Sequence, residues 1–183
     1  MTAARRPWYC RPSGWLAVAV GSHLLCVLLL PRLVMGAAMH RLGEVAGGEN
    51  RAMLAPPTDA DSRRIVMPSP DLRYAVCVYN LADGPLRIEA DPRWPAYWSV
   101  ALYDARTDNY HSRNDRQLAG RPLRWLLVPS PAARPAGFDG EVVVSPTQRG
   151  IVLMRLLVPG HAGKSVTVRS DVLRCAPHSA ARG

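Results

Sequence analysis

Of 183 residues, 48% are hydrophobic and 20% charged, which supplies a buried core for one domain and excludes wholesale disorder. The 17 prolines and 14 glycines argue against a helical bundle and suit short strands joined by turns. Basic residues outnumber acidic ones by 23 to 14, but Lys164 is the only lysine. That skew reads as a GC-rich bacterial coding bias, so no nucleic-acid partner is expected despite the positive charge.

The first element is the most distinct. From Pro12 to Pro31 there is no Asp, Glu, Lys or Arg, and Trp15–Leu30 forms an apolar heart. As a helix that heart spans roughly 24 Å at 1.5 Å per residue, against about 30 Å for a bilayer core. Arg32 can snorkel while the apolar run continues through Leu33–Ala38, so residues 15–38 are expected to form a transmembrane signal anchor in contact with lipid. Gly36-Ala37-Ala38 is the competing signal, a small-residue cleavage site after a leader. Arg5, Arg6 and Arg11 precede the span without an acid among them. They predict a cytoplasmic N-terminus (1–14), a bacterial inner-membrane location and a periplasmic C-terminal domain. His23 and Ser22 within the span read as tolerated polar groups, with no proton path implied.

Residues 39–70 read as stalk and linker: His40–Gly47 as a short polar helix or stalk leaving the membrane, and 48–70 as linker and entry loop, because Gly47-Gly48, Pro56-Pro57, Pro68 and Pro70 interrupt any periodicity. Period two begins at Arg73. Arg73–Asn80 predicts a strand covered on both faces, and Leu86–Asp91 alternates cleanly; with Asp83-Gly84-Pro85 between them the two are expected to pair as a hairpin. Tyr97–Asp104 follows, with Trp98, Val100 and Leu102 inward, and Asp108–Arg113 as its hairpin partner. Leu123–Val128, Glu141–Ser145 and Ile151–Val158 complete the set. Lys164–Cys175 is open: Val166 and Val168 alternate like a strand, whereas Asp171–Cys175 could close the domain as a helix. The fold class expected is mainly β, an antiparallel sandwich or barrel-like exported domain over 71–176 after one N-terminal transmembrane helix, with 177–183 a disordered tail.

Four stretches carry a family resemblance: Tyr74-Ala75-Val76-Cys77, Asp83-Gly84-Pro85-Leu86, Tyr97 through Asp104, and Asn114-Asp115-Arg116. The run from Ser145-Pro146-Thr147 to Gly150 and Arg155 agrees with them. Over roughly residues 35–175 the chain resembles the 1254 family of domains of unknown function. The resemblance implies a bacterial, membrane-anchored β-rich domain with no established activity to transfer. Many relatives continue into a second β-domain, of the 1214 family, which this sequence lacks; a companion envelope protein carrying it is the partner implied.

Cys10 falls before the span and Cys26 within it, leaving Cys77 and Cys175 as the exported pair and a disulfide candidate. No His, Cys or carboxylate spacing fits a metal, and no nucleophile elbow or phosphate loop occurs, so no catalytic residue, metal or cofactor is expected. One polar cluster, residues 108–116, stands beside an aromatic strand. From it His111, Asn114, Asp115 and Arg116, with Trp98, are the candidate ligand-binding residues, and His111 with Asp115 or Ser112 could perform acid–base chemistry. The plainer account is that Asn, Asp and Ser here are turn residues bonding local backbone. Two functions follow: a binding or assembly module, or an envelope enzyme acting on a small molecule or glycan through that pocket.

Overall fold

A computed structural model describes residues 12–57, 68–91, 93–135, 137–158 and 168–178. It shows one long helix followed by a two-sheet sandwich. Helix α1 (Pro12–Ala46) is continuous through Pro31 and is the one described helix long and apolar enough to cross a membrane. Among the described residues nine strands follow: β1 (Ala52–Leu54), β2 (Leu72–Asn80), β3 (Leu86–Ala90), β4 (Trp98–Asp104), β5 (Asn109–Asn114), β6 (Leu123–Val128), β7 (Glu141–Val144), β8 (Arg149–Leu157) and β9 (Leu173–Pro177). A four-residue helix, α2 (Asp115–Leu118), follows β5.

The five-stranded sheet runs β1-β2-β8-β4-β5 and the four-stranded sheet β7-β6-β3-β9. All pairs are antiparallel except β6–β7, which is parallel, so the second sheet is mixed. Alternation decides the core. Cys77, Val100, Leu102, Val152 and Met154 from the first sheet meet Leu86, Ile88, Trp125 and Leu127 from the second. Trp98 joins that core. The alternate residues Val76, Val78 and Ile151 face outward on the first sheet and are covered by Met35, Ala38, Met39 and Leu42 of α1. This second layer explains why β2 reads as apolar on both faces.

Four expectations change. β2 and β3 do not form a hairpin: the turn after Leu81 carries the chain from one sheet to the other, and each strand finds other neighbours. Within 39–70, α1 continues unbroken to Ala46 in place of a separate short element, and Ala52–Leu54 adds an edge strand where linker was expected. Within Asp171–Cys175 the helical option fails, since Leu173 onward pairs with β3 as β9. Pro177 and His178, expected in the tail, are ordered: Pro177 is still in β9 and the His178 N–H is bonded to the Pro85 carbonyl. Residues 1–11, most of the expected cytoplasmic segment, lie outside the described residues, as do 179–183 and the 159–167 stretch holding Lys164 and Val166.

A disulfide joins Cys77 of β2 to Cys175 of β9, with Cα atoms 6.6 Å apart, and so ties one sheet to the other. At the opposite side of residue type, Gly150 has no room for a side chain: a Cβ there would sit 2.2 Å from the Tyr103 carbonyl and 2.4 Å from the Tyr79 hydroxyl.

Candidate functional site

Strand β5 pairs with β4 through a bulge: Leu102 faces His111 but Tyr103 faces Asn109, leaving Tyr110 as the extra residue. A bulge re-aims side chains. Here it sends two consecutive residues inward: Tyr110 packs against the core and His111 lies opposite inward-facing Leu102. Two polar groups result, one around each of these side chains.

The His111 group contains residues from three strands. Its ring centroid lies 4.9 Å from that of Trp125 on β6, tilted by 60°. Its Nε2 stands 3.2 Å from Oε1 of Glu141, the first residue of β7, yet is not aligned for a hydrogen bond, and its side chain is 19% exposed. Glu141 is the hub. Its Oε1 accepts from Arg113 Nη2 at 2.7 Å, and its Oε2 accepts from Trp125 Nε1 at 2.9 Å. The parallel β6–β7 pairing sets Trp125 opposite Glu141, while β5 contributes His111 and Arg113 two residues apart on one face. Chemically, this is an imidazole beside a carboxylate that is also paired with a guanidinium. Such a set can bind a polar group or pass a proton.

The Tyr110 group closes one end of the sandwich. The Tyr110 hydroxyl donates to Tyr79 Oη at 3.2 Å, Tyr79 lies 2.9 Å from Ser145 Oγ, and Ser145 donates to the Thr147 carbonyl at 2.6 Å. Burial, then the neighbouring Tyr79, pushes the Tyr110 phenol well above its ordinary value. Beside it Asp104, only 2% exposed, accepts from the backbone N–H groups of Arg106 at 2.7 Å and Asp108 at 3.0 Å and meets Arg106 Nε at 3.4 Å. These bonds hold the β4–β5 loop, where Thr107 takes a positive φ of 77°.

The structure therefore redistributes the sequence candidates. His111 is brought to Glu141, Arg113 and Trp125, and no hydrogen bond among the described residues joins it to Asp115 or Ser112. Asn114 caps α2: its Oδ1 accepts from the Gln117 N–H while Gln117 Oε1 accepts from the Asn114 N–H, each at 3.0 Å. Asp115 opens that helix with a buried, unpartnered Oδ1, and Arg116 is exposed. Trp98 is buried in the core. Glu141 escapes sequence reading because it stands some thirty positions from His111 and joins it only through the parallel pairing. Its one local sign is a carboxylate at the head of an apolar Val-Val-Val strand.

On the outer side of the second sheet lies a shallow cleft of about 290 Å³, lined by Glu89, Arg93, Arg124, Arg169, Asp171 and Arg174. Its arginines are all engaged in ion pairs: Arg124 pairs with Asp139, Arg93 with Asp91, and Arg169 and Arg174 share Asp171. The hydrogen bond from Arg169 holds the Asp171 carboxyl down at about 2.

A family model, described as a protein of unknown function (DUF1254), matches residues 49–177, the whole sandwich. The chain belongs to that family. Among solved structures, one of a Vibrio parahaemolyticus protein is similar at a TM-score of 0.50 and 15% identity, covering 69% of this chain and 29% of that one. Another, an uncharacterised protein from Burkholderia cenocepacia, is similar at a TM-score of 0.44 and 18% identity, covering 67% of this chain and 34% of that one. The chain thus spans about a third or less of each. No curated protein matches it. Within this family member, the stretches that carry the resemblance build scaffold: Asn114 and Asp115 start α2, while Asp104, Ser145, Thr147 and Gly150 form the buried end of the sandwich.

Proposed function

We propose that this DUF1254 protein is a single-span protein of the bacterial inner membrane whose sandwich projects into the periplasm and serves in binding or assembly. The observation that carries the reading is α1, a continuous apolar helix with Trp15, Leu16, Leu24, Leu28 and Leu30 all exposed, which in water would be untenable. Arg5, Arg6 and Arg11 argue for a cytoplasmic N-terminus. A Cys77–Cys175 bond fits an oxidising compartment outside it. The partner proposed is a companion envelope protein bearing a second β-domain, as the family resemblance implies.

The test is the intact mass of the protein from native membranes, prepared with thiols blocked and no reductant. Full length with Cys77 and Cys175 unblocked supports the reading. A mass lacking the residues up to Ala38 makes the protein a secreted one, and blocked Cys77 and Cys175 argue for a reducing compartment.

The 3.2 Å approach of His111 to Glu141 favours a second reading, an envelope enzyme for a small molecule or glycan. His111→Ala and Glu141→Gln separate the two. An enzyme loses its cellular phenotype while the protein stays folded and abundant; a binding module keeps it.

A further inference from the structure

We propose that the last third of α1 is a permanent wall of the sandwich, and that the bilayer surface begins within a residue of it. The domain then rides directly on lipid headgroups, without a stalk and without cleavage at Ala38. The proposal rests on the reading of α1 as a membrane span and adds where the span ends and what it is fixed to.

The helix changes character abruptly. Leu33 and Val34 are 66% and 54% exposed, whereas Met35 and Met39 are 6% and 5% exposed. Met35, Ala38, Met39 and Leu42 recur at helical spacing and make one stripe, set on Val76, Val78 and Ile151 of the first sheet. Pro12–Val34, the part of α1 before that stripe, is 23 residues long, roughly 34 Å at 1.5 Å per residue, and this matches a hydrocarbon core of about 30 Å. Two large apolar side chains immediately before the docked stripe need lipid around them, so the bilayer must reach the edge of the sandwich.

The far end of the helix is fastened as well. The Gly48 N–H bonds the Gly43 carbonyl at 2.8 Å, ending the helix. Asn50, at a positive φ that Asn tolerates, donates its N–H to Val78 at 2.7 Å and its side-chain amide to the Asn80 carbonyl at 2.8 Å, while its Oδ1 accepts from the Asn80 N–H at 2.7 Å. Glu49 accepts from Asn80 Nδ2 at 2.6 Å and pairs with Arg149. Helix and sheet therefore form one body.

Gly36-Ala37-Ala38, the cleavage-like tripeptide, lies between the two buried methionines inside this docked segment. Cutting after Ala38 would require lifting both off the sheet, and would leave Val76, Val78 and Ile151 bare.

The experiment uses the full chain in spheroplasts, with trypsin outside and the products weighed. A docked, helical Arg41 resists cleavage although its side chain is exposed. Met39→Asp should be cut at Arg41 at least about tenfold faster, which corresponds to about 1.4 kcal/mol of undocking. Met39→Ala should fall between the two, and Val45→Asp, on the exposed side of α1, should match the parent. If Met39→Asp does not accumulate, the Met39→Ala and Val45→Asp pair still decides. In a Cys10→Ala, Cys26→Ala chain, Val34→Cys should resist an impermeant maleimide until detergent is added, whereas His40→Cys labels at once. Rapid cutting at Arg41 in the parent, or equal labelling at 34 and 40, overturns the docked seating while leaving a membrane span intact. Loss of the protein from carbonate-washed membranes instead overturns the span itself.

Discussion

Gly150 shows how little tolerance the end of the sandwich has. Its neighbours there are a backbone carbonyl, which cannot turn away, and the buried Tyr79 ring. Gly150→Ala should therefore cost at least about 2 kcal/mol, since overpacking a filled site forces backbone shifts; chemical denaturation of the purified protein measures it, and an unchanged midpoint would show that the strand yields freely. Tyr110 makes a pH-dependent contribution at the same end. Its phenol pKa is raised in the folded state, chiefly by burial. The neutral form is favoured on folding, so the contribution is complete below the ordinary value of 10.0 and is lost as pH rises above it. In an alkaline titration, tyrosinate absorbance should show Tyr110 ionising only with unfolding. Tyr110→Phe, which has no proton to lose, should hold more of its neutral-pH stability above that value than the parent does.

Elements were legible where one physical rule decided them and obscure where partners did. Period two located β3, β4, β6 and β8 to within two residues, because inward and outward positions differ in polarity. The same rule says nothing about which strands pair, so β2 and β3 read as a hairpin although a corner separates them. β1 is three residues long and precedes Pro56-Pro57, too short to show alternation. Met35 and Met39 look like any lipid-facing side chain, since a sheet face and a bilayer ask for the same apolarity. In the candidate site, His111 was visible as an imidazole beside turn residues; Glu141 was not, because the parallel β6–β7 pair that delivers it leaves no local signature. That carboxylate now makes an element-scale prediction. It accepts from β5 through Arg113 and from β6 through Trp125, so Glu141→Ala should unfasten β5 from the second sheet at a cost of about 1–3 kcal/mol, nearer the lower figure given partial exposure. Hydrogen exchange should report it as faster opening of residues 109–114, with β2 and β8 unchanged.

For the whole molecule, the question is what keeps two sheets with different neighbours in one cooperative unit. The core between them contributes, and so does the single covalent tie. Cys77 and Cys175 are 98 residues apart, and their bond closes nearly the entire sandwich into one loop. The chain-entropy model gives roughly 4–5 kcal/mol for a loop of about 100 residues. At this domain size such a loss lowers the thermal midpoint by more than about 15 °C. Cys77→Ala/Cys175→Ala should show that drop, with little more expected from packing because Ala keeps the Cys77 position apolar. Reductant supplies the control that separates the bond from the side chains: it should bring the parent down to the level of the double variant and leave the variant where it was. A parent indifferent to reductant, in a protein shown to have no free thiol at these positions, would mean that the unfolded chain is already compact enough for the tie to matter little. The sheets would then be held by the core alone, and the docked helix, which covers the first sheet from outside, would become the larger contributor to keeping it intact.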